Sequence, residues 1–378
     1  MADRGARIED GSVRPSWSIL YLLCALLVLS APPARAQAPD SAQAAPQAPP
    51  QAPPVGFAHA DPGIAVADTL PARLPELDVP ALLDALPGAF VYEFGTLGWP
   101  DAWSRDALPP HRTALTLDGL PFDDPATGRP RYDLLPTAWL EPPVVGAGRH
   151  GAPVAVATRL RPYAPRRPLT EIAYRSGSGI QSVMATHVQR RPRRLFGQDG
   201  VLGLLGGYGG HAAQGEYDGS RLRRGRQLLG RLRYAQPRGA VELRVLHNRR
   251  SLGAHGGVLP VPGFSFESIY ARLVAPVANP NARRQTIRND FAATVRARLL
   301  PARAEPLTVS AFFTKEFFEY RLPGDTLSAR ARRAGVHAEQ ALRLGAHHLR
   351  LRADAWRDEI TRSNALPDSL GLRRTQLH

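Results

Sequence analysis

From about residue 165 onward the chain alternates, and that alternation constrains its fold more than any other feature. In the run beginning at Asp290, residues Phe291, Ala293, Val295, Ala297 and Leu299 take one face, while Asp290, Thr294, Arg296 and Arg298 take the other. In the run from Leu307, residues Leu307, Val309, Ala311 and Phe313 alternate with Thr308, Ser310, Thr314 and Glu316. Further on, Leu349, Leu351, Ala353 and Ala355 alternate with His348, Arg350, Arg352 and Asp354. Successive side chains point to opposite sides of a strand, so each run has one apolar and one charged face. Noisier runs of the same kind lie at 169–176, 181–189, 201–212, 226–235, 239–247 and 330–344, with Gly, Asn, Asp and Pro between them.

Two environments give this pattern: a soluble sheet packed on a second sheet, or a transmembrane barrel whose apolar face meets lipid and whose polar face lines a lumen. Runs of about 10 residues match a tilted bilayer crossing. The apolar faces are rich in alanine, which would make a thin sandwich core. The polar faces carry Arg, Asp and His. The barrel is therefore the preferred reading.

The front of the chain agrees. An 11-residue apolar run, Ile19 to Leu29, is too short for a membrane-spanning helix of about 20 residues. It follows Arg14 and precedes Ala34-Arg35-Ala36, a small-x-small site, so residues 1–36 read as a signal peptide cleaved after Ala36. The alternative is an uncleaved anchor. The single cysteine, Cys24, lies in the apolar run behind the bulky Leu22 and Leu23, which excludes a lipoprotein site and any disulfide framework further on.

Residues 37–68 are rich in Pro, Ala and Gln and read as an extended linker. A compact segment at 69–145 follows. Val79, Leu82 and Leu83 mark a short helix with Asp78 as candidate N-cap and Pro87-Gly88 as its stop. Ala89–Phe94 and Thr113–Leu117 read as strands, the second entering an Asp118-Gly119 turn. A second turn, Asp124-Pro125-Ala126-Thr127-Gly128, comes next. Then Asp133–Val145 reads as a helical turn and a strand, placed at a sheet edge because Pro142 and Pro143 lack donors.

Charge divides the same way. Residues 37–145 are net −9 and residues 146–378 net +23. The pI of about 10.9 comes with no nucleic-acid-binding motif, so nucleic acid is not an expected partner. Acidic front and basic back are expected to attract one another, and in a wet lumen salt would weaken that attraction.

These pieces, in this order, resemble the TonB-dependent outer-membrane receptors. The segments around Leu83–Gly88, around Leu115–Gly128 and around Tyr132–Val145 are similar to successive parts of that family's plug domain. The resemblance implies a small α+β plug followed by antiparallel transmembrane β-barrel strands over residues 146–378. It implies location in the outer membrane, with uptake of a scarce ligand such as a metal chelate, a vitamin or an oligosaccharide. It also implies energy from a TonB-type inner-membrane partner. The nearest match to the family's energy-coupling segment is Asp68-Thr69-Leu70, which Pro71 interrupts. About 10 strands would be an incomplete barrel, since a plugged lumen needs about 22. The sheet is then expected to stay open, with outer strands near residues 170 and 350, and the chain reads as cut in mid-barrel. A passive porin-like or structural barrel protein with a vestigial plug is the alternative, and a soluble periplasmic β protein a third class.

No catalytic motif stands out, and no cofactor or metal is expected. The Gly-rich Gly203–Gly210 stretch lacks the Gly-Lys-Ser/Thr ending of a phosphate loop and reads as a transmembrane strand. Arg296, Arg298, Arg350 and Arg352 are expected to face the lumen. There they would pair with the acidic plug or with lipopolysaccharide-side charges, or less readily hold a substrate.

Overall fold

The structure, a computed structural model, describes residues 64–65, 79–93, 99–177, 179–195, 198–261, 263, 265, 274–298, 305–344, 347–364 and 373–377. The expected signal peptide with its Ala36 site, the Asp78 cap and the Asp68-Thr69-Leu70 segment lie outside these residues.

Two sheets carry most of the fold. The larger has ten strands: β8 (Leu169–Gly177), β9 (Ile180–Leu195), β10 (Gln198–Ala213), β11 (Leu222–Gln236), β12 (Gly239–Gly253), β13 (Arg283–Ala297), β14 (Leu307–Leu322), β15 (Asp325–Leu344), β16 (His347–Ser363) and β17 (Arg373–Leu377). Each pairs antiparallel with its sequence neighbours, in chain order from β8 to β17. Among the described residues the two outer strands, β8 and β17, pair with each other nowhere. The sheet is therefore open, but its last strand lies beyond the one expected near residue 350. Strands β9 to β16 run 15 to 20 residues. A tilted crossing needs only about 9–11, so each strand extends past the membrane span.

The register sets the two faces. Across β12 to β15, Leu243, Ala293, Ala311 and Val336 stand in one row on one face, and Val241, Val295, Val309 and Ala338 form the next. These rows are exposed: Val295 is 48% accessible, Val336 52% and, on β16, Leu351 52%. The opposite face is buried although it is polar. Asp290, Ser310, Thr314, Glu316, Arg333, His337 and Asp354 all lie there. An outside that is apolar and an inside that is polar inverts a soluble sheet and matches a transmembrane barrel wall.

The smaller sheet has the order β1-β6-β7-β4-β5. Its strands are β1 (Ile64–Ala65), β4 (Thr113–Leu117), β5 (Leu120–Pro121), β6 (Val144–Ala147) and β7 (Val154–Thr158). A separate hairpin, β2 (Ala89–Tyr92) and β3 (Ala102–Arg105), packs beside the short helix α1 (Val79–Leu83). Three sequence expectations change here. The boundary at residue 145 falls inside this sheet, because β7 pairs parallel with β4. β6 is not an edge, since β1 and β7 flank it, and Pro142 and Pro143 precede it and cost the ladder no donor. Ile64–Ala65, assigned to the linker, forms the edge strand instead.

The core joins the two sheets. Leu83, Trp103, Leu115, Leu134, Trp139 and Val156 from the inner unit pack in one apolar cluster with Val188, Leu205, Leu229 and Leu246 of the large sheet.

Candidate functional site

The inner unit is gripped by the buried face of the large sheet, and the residues that do this form the candidate site. β4 and β5 are joined through Asp118 and Gly119, both at positive φ (53° and 84°), the geometry of a tight primed hairpin turn. The turn aims Asp118 at two places. Its Oδ1 accepts the Leu160 N–H at 3.0 Å, and its Oδ2 pairs with Arg244 of β12. Its own N–H donates to the Thr158 carbonyl at 2.9 Å, which holds the hairpin onto β7. Leu120, just after the turn, packs with Ala292, Phe312 and Trp356 of the wall.

The second turn folds around Asp124. Its side chain accepts from the Ala126 N–H at 2.8 Å and the Thr127 hydroxyl at 3.0 Å, and its carbonyl accepts from the Gly128 N–H at 2.7 Å. Pro125 sits at the second position of this turn, where its fixed φ suits the bend. Gly128 has φ 73°, and an added Cβ would lie 3.1 Å from the Arg374 guanidinium of β17.

Between the turns, charge crosses the interface. Arg131 donates to Asp133 at 2.8 and 2.9 Å and also pairs with Glu316 of β14. Glu316 receives Arg288 of β13 at 3.2 Å, and Arg288 donates to the Asp123 carbonyl at 2.7 Å and to Asp290 at 2.9 Å. Asp123 pairs with Arg333 of β15, which donates to Asp358 of β16 at 2.6 Å, and Asp358 receives Arg374 at 2.6 Å. Arg288 and Arg333 are fully buried, and Arg288 lies over the Phe122 ring at 4.2 Å. Burial pushes the Asp133 carboxyl up, but Arg131 beside it, together with Arg250 and Arg284, more than offsets this and holds it below its ordinary value. Burial works against the Arg131 charge too, and the carboxylates of Asp133 and Glu316 outweigh it. Burial alone pushes the Tyr132 phenol up. Because these pairs are buried, salt screens them little. The salt-sensitive docking expected for a wet lumen is thus confined to pairs nearer solvent.

A third contact is aromatic. Trp139 donates its indole N–H to Thr186 of β9 at 2.7 Å and lies close against β10. A Cβ on Gly207 would sit 2.6 Å from the Trp139 ring, and one on Gly209 would sit 3.3 Å away. The Gly-rich strand is therefore a seat for this indole, a pairing that sequence spacing does not reveal. Gln227 of β11 donates to the Leu135 carbonyl at 2.9 Å alongside it. Further around the wall, His150 and His337 flank Asp354, at 3.5 and 2.5 Å.

The expected lumen arginines divide. Arg350 and Arg352 lie on the buried-face side of β16 and pair with Glu339 of β15 at 3.4 and 3.2 Å. Arg296 is half-buried on the same face of β13 as Asp290 and Thr294. Arg298 lies past the end of β13, exposed, and its N–H donates to the Arg238 carbonyl at 2.9 Å. Among the described residues no group of three His, Cys, Asp or Glu side chains is placed to hold a metal ion. Asp118, Gly119, Asp124, Pro125 and Gly128 were legible as turns, whereas Arg131, Glu316, Arg288 and Arg333 were not singled out.

No protein-family model and no curated protein sequence matches the chain. Solved structures do. The FrpB iron transporter from Neisseria meningitidis aligns with a TM-score of 0.59 at 12% identity, over 81% of this chain and 50% of that one. The Serratia marcescens hemophore receptor HasR, solved with its hemophore HasA and heme, aligns with a TM-score of 0.61 at 11% identity, over 83% and 48%. The copper transporter OprC aligns with a TM-score of 0.54 at 13% identity, over 80% and 47%. The chain has the fold of the TonB-dependent outer-membrane receptors, a β-barrel architecture of the bacterial outer membrane. It spans about half the length of the solved structures it matches.

Proposed function

We infer that this chain acts in an outer-membrane receptor for uptake, with the inner unit serving as a plug. The observation that carries this reading is the apolar, exposed outer face of the large sheet combined with a buried polar face that grips a separately folded unit. An enzyme would need a reactive constellation open to substrate, and the ionisable groups at this interface are instead engaged in holding two parts together. The similar structures are named for iron, copper, siderophore or heme, which favours a metal chelate among the ligand classes. A TonB-type partner would pull on the segment at Asp68-Thr69-Leu70. Strand addition to a partner uses backbone N–H groups, and Pro71 removes one next to this segment. That proline is the specific feature favouring the alternative, a passive barrel protein with a vestigial plug.

The test compares two steps in cells that express the protein. With radiolabelled ferric chelates and heme supplied at nanomolar concentration, surface binding and energised uptake are measured separately. Deleting Asp68, Thr69 and Leu70 is expected to leave binding unchanged and to abolish uptake. Uptake that survives both this deletion and collapse of the proton gradient would establish the passive reading.

A further inference from the structure

Among the described residues, the buried carboxylate of Asp354 on β16 is held by imidazoles alone. His337 of β15 stands directly opposite it in the register and meets one oxygen at 2.5 Å, and His150 of the inner unit meets the other at 3.5 Å. All three side chains are less than a tenth exposed. A carboxylate taken out of water needs a cation beside it, and here a cation is present only when an imidazole carries its second proton. His337 sharpens the point. Its Nδ1 faces Asp354, and its Nε2 lies 3.7 Å from Glu339. A neutral imidazole has one N–H and one lone pair, so it donates to one of these carboxylates and turns a lone pair toward the other, whereas the imidazolium donates to both. The other charges in this corner are engaged elsewhere. Arg350 and Arg352 of β16 pair with Glu339, and the Arg149 charge also bears on Glu339. Arg333 of β15 lies over the Trp356 ring but pairs with Asp123 and Asp358, and Arg244 pairs with Asp118.

The placement of these rings is the second observation. His150 belongs to the bend between β6 and β7 and sits at φ 53°, followed by Gly151 at 78°. The Ala152 N–H closes the bend by donating to the Arg149 carbonyl at 2.9 Å. The His150 ring meets Trp356 of the wall edge to face at 4.9 Å between centroids. The Asp118-Gly119 turn lies alongside, where a Cβ on Gly119 would stand 3.9 Å from both the Arg149 guanidinium and His337 Nε2. One imidazole therefore comes from the inner unit and one from the wall, and the carboxylate between them joins the two.

We propose that His150, Asp354 and His337 form a proton-operated clamp, which fastens this corner of the inner unit to the wall in acid and slackens as pH rises. Hydrogen bonds to an ionised partner at both ends are the strong ones, so the protonated rings hold the inner unit more tightly than the neutral ones. By linkage the added hold is fully present below about pH 6.5, where an ordinary imidazole is protonated, and is lost as pH climbs beyond it. The clamp rests on the contact between inner unit and wall and is independent of uptake.

The test follows amide hydrogen exchange of residues 148–158 in the full chain in detergent micelles, from about pH 5.5 to about pH 8, corrected for the pH dependence of the exchange chemistry itself. Opening of this segment is expected to rise about tenfold across that range, a factor that one coupled proton supplies. Residues 132–139, which Trp139 and Gln227 hold against β9 to β11, should keep constant protection. His150→Gln with His337→Gln should leave a flat profile, and so should Asp354→Asn alone. His111→Gln, an exposed imidazole of the inner unit outside the clamp, should leave the slope as it was. Where the double variant loses protection at 132–139 as well, Asp354→Asn decides in its place. An unaltered chain whose opening at 148–158 ignores pH, or a slope that survives in these variants, would overturn the proposal. Equal loosening of 132–139 with rising pH would also overturn it, because the whole inner unit rather than this corner would then be titrating.

Discussion

Replacing Gly207 with leucine will push the inner unit off the wall. The leucine Cβ alone would lie 2.6 Å from the Trp139 ring, inside contact distance, and the ring has no room to retreat because it is fully buried. Overpacking of this kind costs about 1–3 kcal/mol, and shifting the indole also breaks its hydrogen bond to Thr186, a further loss of about 1 kcal/mol. The neighbouring glycine is an internal control. Gly206 faces the other way, with nothing within 4 Å of a Cβ built there, so Gly206→Leu should be neutral. The readout is limited proteolysis of residues 110–165 in the folded protein. Cleavage should accelerate at least tenfold in the Gly207 variant, as a loss of about 1.4 kcal/mol or more implies. Equal protection in both variants would remove Trp139 as the anchor.

The Arg131→Leu variant should do more damage. It removes the cation that Asp133 and Glu316 share inside the interface, strips Asp133 of its hydrogen-bonded partner and leaves Glu316 with Arg288 alone. Breaking a buried ion pair by deleting one partner costs about 3–5 kcal/mol. The stability lost should be partly restored by adding Glu316→Gln, because Asp133 then no longer faces a second buried carboxylate. Denaturant midpoints for the two single variants and the double variant measure this coupling. Strict additivity would mean that Arg131 and Glu316 act independently despite their contact.

The sequence was legible where one strand's own spacing carries the signal. Phe291, Ala293 and Val295 alternate with Asp290 and Thr294 because the first set stands on the exposed face and the second on the face turned to the interior, and a period of two survives in any such wall. Asp118-Gly119 was readable for a local reason as well, since two positive φ angles in succession select those residue types. Contacts between distant segments left no such trace. Arg131 and Glu316 lie 185 residues apart, and nothing near either one names the other. Val154–Thr158 fell within the span 146–378 assigned to the barrel, and only its parallel pairing with β4 places it in the inner sheet. Gly207 is the clearest case. Its glycine reads as a weak strand former until Trp139, 68 positions earlier, is set against it.

The central claim is that the apolar face of the large sheet meets lipid while its polar face grips the inner unit. Spin labels test it directly. With Cys24 replaced by Ser, single cysteines at Val295, Val309 and Val336 report the outward face, and one at Ser310 reports the inward face. In reconstituted vesicles the three outward labels should collide readily with oxygen, which dissolves in the bilayer, and hardly at all with a water-soluble nickel complex. The label at Ser310 should be immobile and shielded from both. Outward labels that meet the nickel complex as freely as oxygen, or a mobile, water-exposed label at Ser310, would contradict the claim.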